Sequence, residues 1–239
     1  MFKLFKSKNT AVIEEITESI QQKLGNNLVS LVQYGSRIRE KSKDSDINVL
    51  IILKRSTPEA HSLIHEVCKD NPSLRPFVIG EQGFDHSVKC FAIKLLSIKR
   101  NYKLLAGRDL LADIEVAPDH EKFLTDQAIR NMRLRLVRSF VTNGPNLQHR
   151  SYILSQVTSL FVDVSEVLRC DGVDIPKNFH DRITIFEQNF GFSFAVLKEL
   201  YRTKKEDLRL TKKELDCFHH NLFRMLDGVI LHMEQSWYE

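Results

Sequence analysis

The apolar residues of this chain follow one pattern in the first half and another in the second. In the first half, short β-type runs alternate with segments of helical periodicity, and the runs 28–34 and 47–53 are typical of buried strands. From about Asp119 onward, apolar residues recur almost throughout at the three- and four-residue spacing of helices. This change predicts an α/β domain over 1–118 and an all-helical domain over 119–239.

Cap and turn residues set the expected ends of several elements. We predict an opening amphipathic helix that stops at Gly25, a helix over 59–69 entered through Pro58, and further strands at 75–79 and 88–98. In the second half we predict four or five helices, with breaks near Gly144, Gly172 and Gly191 and a capping box that opens the last one at Thr211. Their apolar stripes indicate a helical bundle.

Composition excludes several classes of protein. No run of about 18 apolar residues is present, so we expect no membrane span. The basic amino terminus lacks a following apolar stretch, which argues against a signal peptide and favours a cytoplasmic protein. The four cysteines are widely separated, which indicates free buried thiols and no zinc ribbon. Residues 1–118 contain 18 Lys and Arg against 14 Asp and Glu, an excess that permits a polyanionic ligand in that half.

One stretch, residues 33–48, combines several groups that suit phosphate and metal chemistry. Gly35 and Ser36 follow a predicted strand, where a glycine lets a ligand approach the backbone and the Ser36 hydroxyl can point at phosphate oxygens. Asp46 and Asn48 are two residues apart at the start of the next strand, so their side chains share a face. The alternative is an ordinary turn with a capping serine and a strand entered through polar residues.

This combination resembles the signature of the DNA polymerase β-like nucleotidyltransferase superfamily, which is Gly-Ser, a spacer of this length, and Ser-Asp-x-Asp before a hydrophobic strand. Residues 91–99 and 102–109 are similar to the third core strand and the following loop of bacterial members related to kanamycin nucleotidyltransferase. The helical second half is similar too. The resemblance implies an α/β (α+β) nucleotidyltransferase fold with a mixed sheet, followed by an all-α helical bundle.

The resemblance also implies roles for individual residues. In that superfamily, two carboxylates on one strand and a third on a neighbouring strand hold two Mg²⁺ ions, which neutralise a nucleoside triphosphate and activate an acceptor hydroxyl. Asp46 and Asn48 would then be the metal ligands. Gly35 and Ser36 would contact the phosphates of ATP or another triphosphate, and Arg37 or Arg39 in the following loop could reach them as well.

The sequence departs from the superfamily pattern at two positions. Asn48 replaces the second aspartate, and its amide oxygen can still bind a cation but contributes no charge. Our registration of the predicted strand 88–98 places Lys94 at the third acidic position, although Lys94 can also be a plain surface residue. Glu81, Asp85 or Asp109 could supply a carboxylate from another direction. Each close unit charge pair is worth about 4 kcal/mol at an effective dielectric of about 20, so we expect a weakened Mg²⁺ site.

Three functions remain open at this stage. The favoured hypothesis is a degenerate nucleotidyltransferase that binds a nucleotide in the interdomain cleft, or a protein partner, with impaired or absent transfer. The second is an active metal-dependent enzyme that moves a nucleoside monophosphate to a hydroxyl of a small molecule or a protein. The third is a non-catalytic adaptor for nucleic acid or protein, for which the basic helical face of Arg130, Arg133, Arg135 and Arg138 is the one sequence feature.

Overall fold

The structure is a computed structural model that describes the backbone of residues 8–39 and 46–238, and the side chains of these residues except 8–10, 36 and 39. The chain divides into two compact units, Met1–Val116 and Ala117–Glu239.

The first unit contains four strands and five helices among its described residues. In chain order these are α1 (Lys8–Leu24), a 3₁₀ turn (Gly25–Asn27), β1 (Leu28–Tyr34), α2 (Ser36–Arg39), β2 (Ile47–Leu53), α3 (Pro58–Asp70), β3 (Leu74–Gly80), α4 (Phe84–Cys90), α5 (Ala92–Lys99) and β4 (Tyr102–Gly107). The predicted strands 28–34, 47–53 and 75–79 are confirmed, as are the stop at Gly25 and the helix that follows Pro58.

The four strands form one mixed sheet in the order β3-β2-β1-β4. β1 is antiparallel to both β2 and β4, whereas β2 and β3 are parallel and joined through α3. Apolar side chains of α1 and α3 pack on one face, and those of α4, α5 and residues 110–116 pack on the other. β2 is therefore covered on both faces, which explains its nearly unbroken run of aliphatic residues.

The predicted strand at 88–98 is wrong. These residues form the end of α4 and most of α5, and the fourth strand comes from 102–107 instead. The buried side chains of this segment are Phe84, Val88, Ala92, Leu95 and Ile98, which recur every three or four residues as on a helix. The strand prediction gave weight to the apolar run itself, and a short apolar run does not distinguish the two structures.

The second unit is helical, as predicted. Its helices are α6 (Pro118–Asn143), α7 (Leu147–Cys170), α8 (Phe179–Phe190), α9 (Ala195–Lys205) and α10 (Lys212–Trp237). Asn146 and Asn178 cap α7 and α8, and Thr211 forms the predicted capping box with Glu214. All five helices contribute buried apolar residues to one core, in which Phe186 and Phe194 are completely buried. The fold class, a mixed α/β sheet followed by a helical region, is therefore confirmed.

Two further predictions concern the chain as a whole. Within the described residues, every helix is too short or too polar to cross a membrane. All four cysteines are free thiols, as predicted, but their predicted burial is wrong: Cys68 and Cys170 are partly buried, and Cys90 and Cys217 are exposed.

Candidate functional site

Four side chains form a row across the sheet at the end where β1 finishes and β2 begins. The strand register pairs Arg75 of β3 with Asn48 of β2, Asn48 with Tyr34 of β1, and Tyr34 with Tyr102 of β4. Directly paired residues project from the same face of a sheet, here the face that α4 and α5 cover. We call these four residues the site row. Asp46 lies just before β2 and two residues from Asn48, so it continues the same face.

Gly35 begins a tight turn beside the site row. Its φ of +91° lies in the region that favours glycine, and a Cβ there would lie 3.1 Å from the amide nitrogen of Asn48. The chain then enters α2, where the Ile38 N–H donates to the Gly35 carbonyl at 3.2 Å. The structure thus places Gly35, Asp46 and Asn48 together, as the sequence predicts.

The other predicted phosphate contacts lie on α2, directly after this turn. Arg37 is half-buried there. The side chains of Ser36 and Arg39 lie outside the described part of the structure, as does the loop over 40–45, so their predicted roles remain predictions.

Arg75 forms an ion pair with Asp46. Its Nη2 lies 3.3 Å from the Asp46 Oδ1, and both side chains are about half exposed. Its Nη1 donates to the carbonyls of Pro72 and Leu74 at 2.6 and 3.0 Å, which anchors the guanidinium beside Asp46. Sequence reasoning did not single out Arg75. The sequence did contain an indication of its position. A strand, a helix and a second strand in succession, here β2, α3 and β3, predict two adjacent parallel strands whose first residues lie side by side.

Lys94 reaches the site row from a helix and not from a strand. It lies on α5, and its Nζ is 4.7 Å from the centroid of the Tyr34 ring, within the range of a cation–π contact. The side chain is exposed overall, yet desolvation around the ammonium lowers the pKa of Lys94. Burial raises the pKa of Tyr34 to about 12, so the phenol stays neutral. The prediction that Lys94 lies on a third strand is wrong. The Lys94 ammonium nevertheless lies next to Tyr34, which is paired with Asn48.

Of the other acidic residues weighed from the sequence, Glu81 and Asp85 lie away from the Asp46 end of the site row. Glu81 lies at the opposite end of β2, because its N–H donates to the carbonyl of Leu53 at 2.6 Å, and its carboxylate pairs with Arg108. Seven residues of strand, or roughly 23 Å, separate Leu53 from Asp46. Asp85 is exposed in the first turn of α4.

Asp109 approaches the row through Tyr102, but its oxygens are engaged. Its Oδ2 accepts a hydrogen bond from the Tyr102 hydroxyl at 2.7 Å, and its Oδ1 accepts from the N–H groups of Leu111 and Ala112 at 3.1 and 3.2 Å. The hydrogen bond to Asp109 raises the pKa of Tyr102 to about 12. Asp109 therefore orders the loop after β4.

The donor set at the row does not fit a two-metal site. Across residues 8–39 and 46–238, no three His, Cys, Asp or Glu side chains are grouped so that they could hold a metal ion. The amide nitrogen of Asn48 donates to the backbone carbonyl of Asp46 at 3.5 Å, so the amide oxygen is the neutral atom that this side chain can offer to a cation. Mg²⁺ requires several negatively charged or neutral oxygens in near-octahedral array, whereas Asp46 is already paired with Arg75 and the Asp109 oxygens already accept hydrogen bonds.

Two of the four arginines of the basic face predicted on α6, Arg130 and Arg133, are neutralised by ion pairs. Arg130 pairs with Asp126 and Glu234, and Arg133 pairs with Asp227 while its guanidinium stacks on Phe223. These contacts lie within the helical unit and give both arginines a structural role.

Comparison with known proteins supports the fold. No protein-family model and no curated protein matches the sequence. Among solved structures, the chain is similar to the crystal structure of spectinomycin adenyltransferase AAD(9) from Enterococcus faecialis with ATP and spectinomycin, with a TM-score of 0.60. The two chains are 12% identical, and the match covers 91% of this chain and 99% of that one. The chain has a nucleotidyltransferase fold. The coverage extends the similarity over both the mixed sheet and the helical region.

The strand order corrects the registration that placed Lys94 at the third acidic position. The resemblance implies that this group comes from a strand next to the one that carries Asp46 and Asn48. The neighbours of β2 are β1 and β3, and the residues in register with Asn48 are Tyr34 and Arg75. Neither is acidic, and Arg75 is already within 3.3 Å of Asp46. The cation that lies beside Asn48 on the adjacent strand is therefore Arg75 and not Lys94.

Proposed function

We propose that the first unit binds a nucleoside triphosphate at the site row and that nucleotidyl transfer from it is impaired or absent. The observation that carries this proposal is the end of the sheet at the site row, where Asp46 is paired with Arg75 and the Gly35 turn passes the Asn48 side chain. Placement of this site against the helical unit stays a prediction.

Two features support nucleotide binding. At Gly35 the backbone packs directly against the Asn48 side chain, so the predicted phosphate-binding turn and Asn48 lie together at the end of the sheet. The similar spectinomycin adenyltransferase AAD(9) was solved with ATP, which supports ATP as the first ligand to test.

The charges of the row argue against efficient transfer. A two-metal reaction needs carboxylates that hold both ions and stabilise the attacking and leaving oxygens. Relative to a site with three carboxylates, Asn48 removes one negative charge, and Arg75 removes another and adds a positive one. Unit charges about 4 Å apart interact by about 1 kcal/mol in water and about 4 kcal/mol at an effective dielectric of about 20. Three such changes weaken the binding of a divalent ion by several kcal/mol even at the lower figure.

The experiment measures binding and transfer separately. Calorimetry with ATP should show saturable binding, and incubation with α-labelled ATP and a panel of small hydroxylated acceptors should show no labelled product. Asp46→Ala serves as the site variant, and Asp207→Ala serves as a control with an exposed acid on the helical unit. A labelled product that Asp46→Ala abolishes and Asp207→Ala preserves would show an active enzyme.

An active enzyme is the second candidate. It is favoured by the similarity to an adenyltransferase solved with both ATP and a small-molecule acceptor. In that case Asn48 would bind one metal ion through its amide oxygen, and the acceptor would be a hydroxyl. Absence of any nucleotide binding would instead favour the adaptor hypothesis.

A further inference from the structure

We infer that the site row binds the phosphates of its nucleotide without a divalent metal and uses Arg75 and Lys94 as the cations. This inference deepens the proposed function and rests on it. The two cations lie on either side of Asn48. Arg75 is paired with Asn48 on β3. Tyr34 is paired with Asn48 on β1, and the Lys94 ammonium lies 4.7 Å from the centre of the Tyr34 ring. They approach from different elements, β3 and α5, and both face the side of the sheet that bears Asp46.

Arg75 is held in place before any ligand binds. Two of its hydrogen bonds go to backbone carbonyls, those of Pro72 and Leu74, and a third contact goes to Asp46. About half of the side chain remains exposed, so further N–H donors of the guanidinium can reach a ligand. Guanidinium groups bind phosphate through paired, charge-assisted hydrogen bonds, and an anchored one loses less side-chain entropy when it does so.

An anion next to Lys94 would stabilise the charged form of this side chain more than it would stabilise that of an ordinary surface lysine. Within the part of the chain that the structure describes, its ammonium has the Tyr34 ring as a neighbour and no carboxylate within ion-pair distance. Desolvation already lowers the pKa of Lys94, so its charged form is under-stabilised. A phosphate oxygen next to the ammonium would favour the charged form and supply the missing partner.

The charge at the row agrees with an anionic ligand that carries no metal. Asp46 and Arg75 cancel, and Lys94 leaves one net positive charge on these three groups. Magnesium on the nucleotide would bring a third cation towards Arg75 and Lys94, and like charges that lie close together repel. Free ATP should therefore bind at least as well as magnesium ATP.

The experiment compares ATP binding to the full chain by calorimetry in EDTA and in excess MgCl₂, with tripolyphosphate as a second probe. We expect equal or tighter ATP binding in EDTA. Arg75→Ala and Lys94→Ala should each weaken it about tenfold or more, the range expected for a hydrogen bond to a charged group. Arg75→Lys and Lys94→Gln repeat the test with smaller changes to the fold, and circular dichroism checks each variant.

Two matched controls separate this effect from general loss of positive charge. Arg55 is exposed beyond the opposite end of β2, and Lys103 is exposed next to Tyr102 but pairs with Gln33, on the other face of the sheet. Arg55→Ala and Lys103→Ala should leave the affinity within about twofold of wild type, because neither removes a cation from the row.

Three results would overturn the inference. Binding that requires Mg²⁺ would refute metal-free binding and leave the proposed nucleotide site intact. Folded Arg75 and Lys94 variants that bind like the two controls would show that these cations do not contact phosphate. No binding of either ATP or tripolyphosphate in any buffer would refute both this inference and the proposed function.

Discussion

The missing acids of the site row can be replaced, and the substitution should create a divalent-metal site. The perturbation is the double variant Asn48→Asp with Arg75→Glu, which adds a carboxylate on β2 and exchanges the cation in register on β3 for another carboxylate. Together with Asp46, three carboxylates would then lie at one end of the sheet. The charge of the row becomes more negative by three units, with no change to the apolar residues that hold the strands.

The expected gain follows from the distances at the row. Arg75 and Asp46 are 3.3 Å apart and about half exposed, so an interaction close to that in water is the safer figure. At about 4 Å this is about 1 kcal/mol per pair of unit charges, so three units acting on a divalent ion give about 6 kcal/mol. Screening by salt reduces this to about 3 to 4 kcal/mol at physiological ionic strength. The Kd for a divalent ion should therefore fall by about 100-fold or more.

The assay titrates Mn²⁺ into each variant, with calorimetry for affinity and electron paramagnetic resonance for the count of bound ions. Asn48→Asp alone should lie between wild type and the double variant. Arg55→Glu with Gln22→Glu makes the same charge change at exposed positions of the first unit away from the row, beyond the opposite end of β2 and on α1 at the other face of the sheet, and should stay close to wild type. If the double variant binds Mn²⁺ no better than this control, the row is not the remnant of a metal site.

Three further substitutions test the fold around the site and in the helical unit. Gly107→Ala places a Cβ 2.1 Å from the Val29 carbonyl at a φ of +79°, so urea unfolding should show a loss of about 2 kcal/mol or more; a loss below about 1 kcal/mol would mean that the strand shifts freely. Thr211→Ala removes a capping box and should lower the unfolding free energy by about 1 kcal/mol, whereas an unchanged melting temperature would contradict that role. Burial lowers the pKa of His149 to about 4, below its ordinary value of about 6.5, so the unfolded chain binds the proton more strongly and stability falls from pH 6.5 to pH 4. His149→Gln should remove about 2 to 3 kcal/mol of that fall, as followed by Trp237 fluorescence in denaturant, and an equal fall in the variant would refute it.

Elements with strong local signals could be predicted from the sequence. The run 47–53 is aliphatic at nearly every position because β2 is covered on both faces, and such a run has few other uses in a chain without membrane-length segments. Helix ends in the second unit were equally clear, since Gly144 and Gly191 directly follow α6 and α8 with positive φ. The closeness of Gly35 to Asn48 agrees with the motif over residues 33–48, which indicated that both residues serve one site.

The composition of the site row could not be predicted in full, because it depends on register between strands. Lys94 was assigned by counting along a segment that proved to be helical, where burial by neighbouring elements and not local propensity decided the structure. Arg75 was on a correctly predicted strand, yet its position opposite Asn48 follows only once β2 and β3 are known to be parallel and adjacent. The residue pattern of one segment indicates the secondary structure of that segment, but it contains little information about which strand the segment pairs with.

The ion pair between Asp46 and Arg75 has little to contribute to stability, and that strengthens the case that it serves a ligand. Both side chains are about half exposed, and exposed pairs of this kind are worth about 0 to 1 kcal/mol. Arg75→Ala should therefore leave the unfolding free energy nearly unchanged, and a loss of nucleotide affinity in that variant could not be attributed to a damaged fold. A site that had merely lost its metal ligands would need no anchored guanidinium in their place. The hydrogen bonds from Arg75 to the carbonyls of Pro72 and Leu74 hold a cation at the end of the sheet where the sequence resemblance implies a metal ion, which is the arrangement that the proposed metal-free binding of phosphate requires.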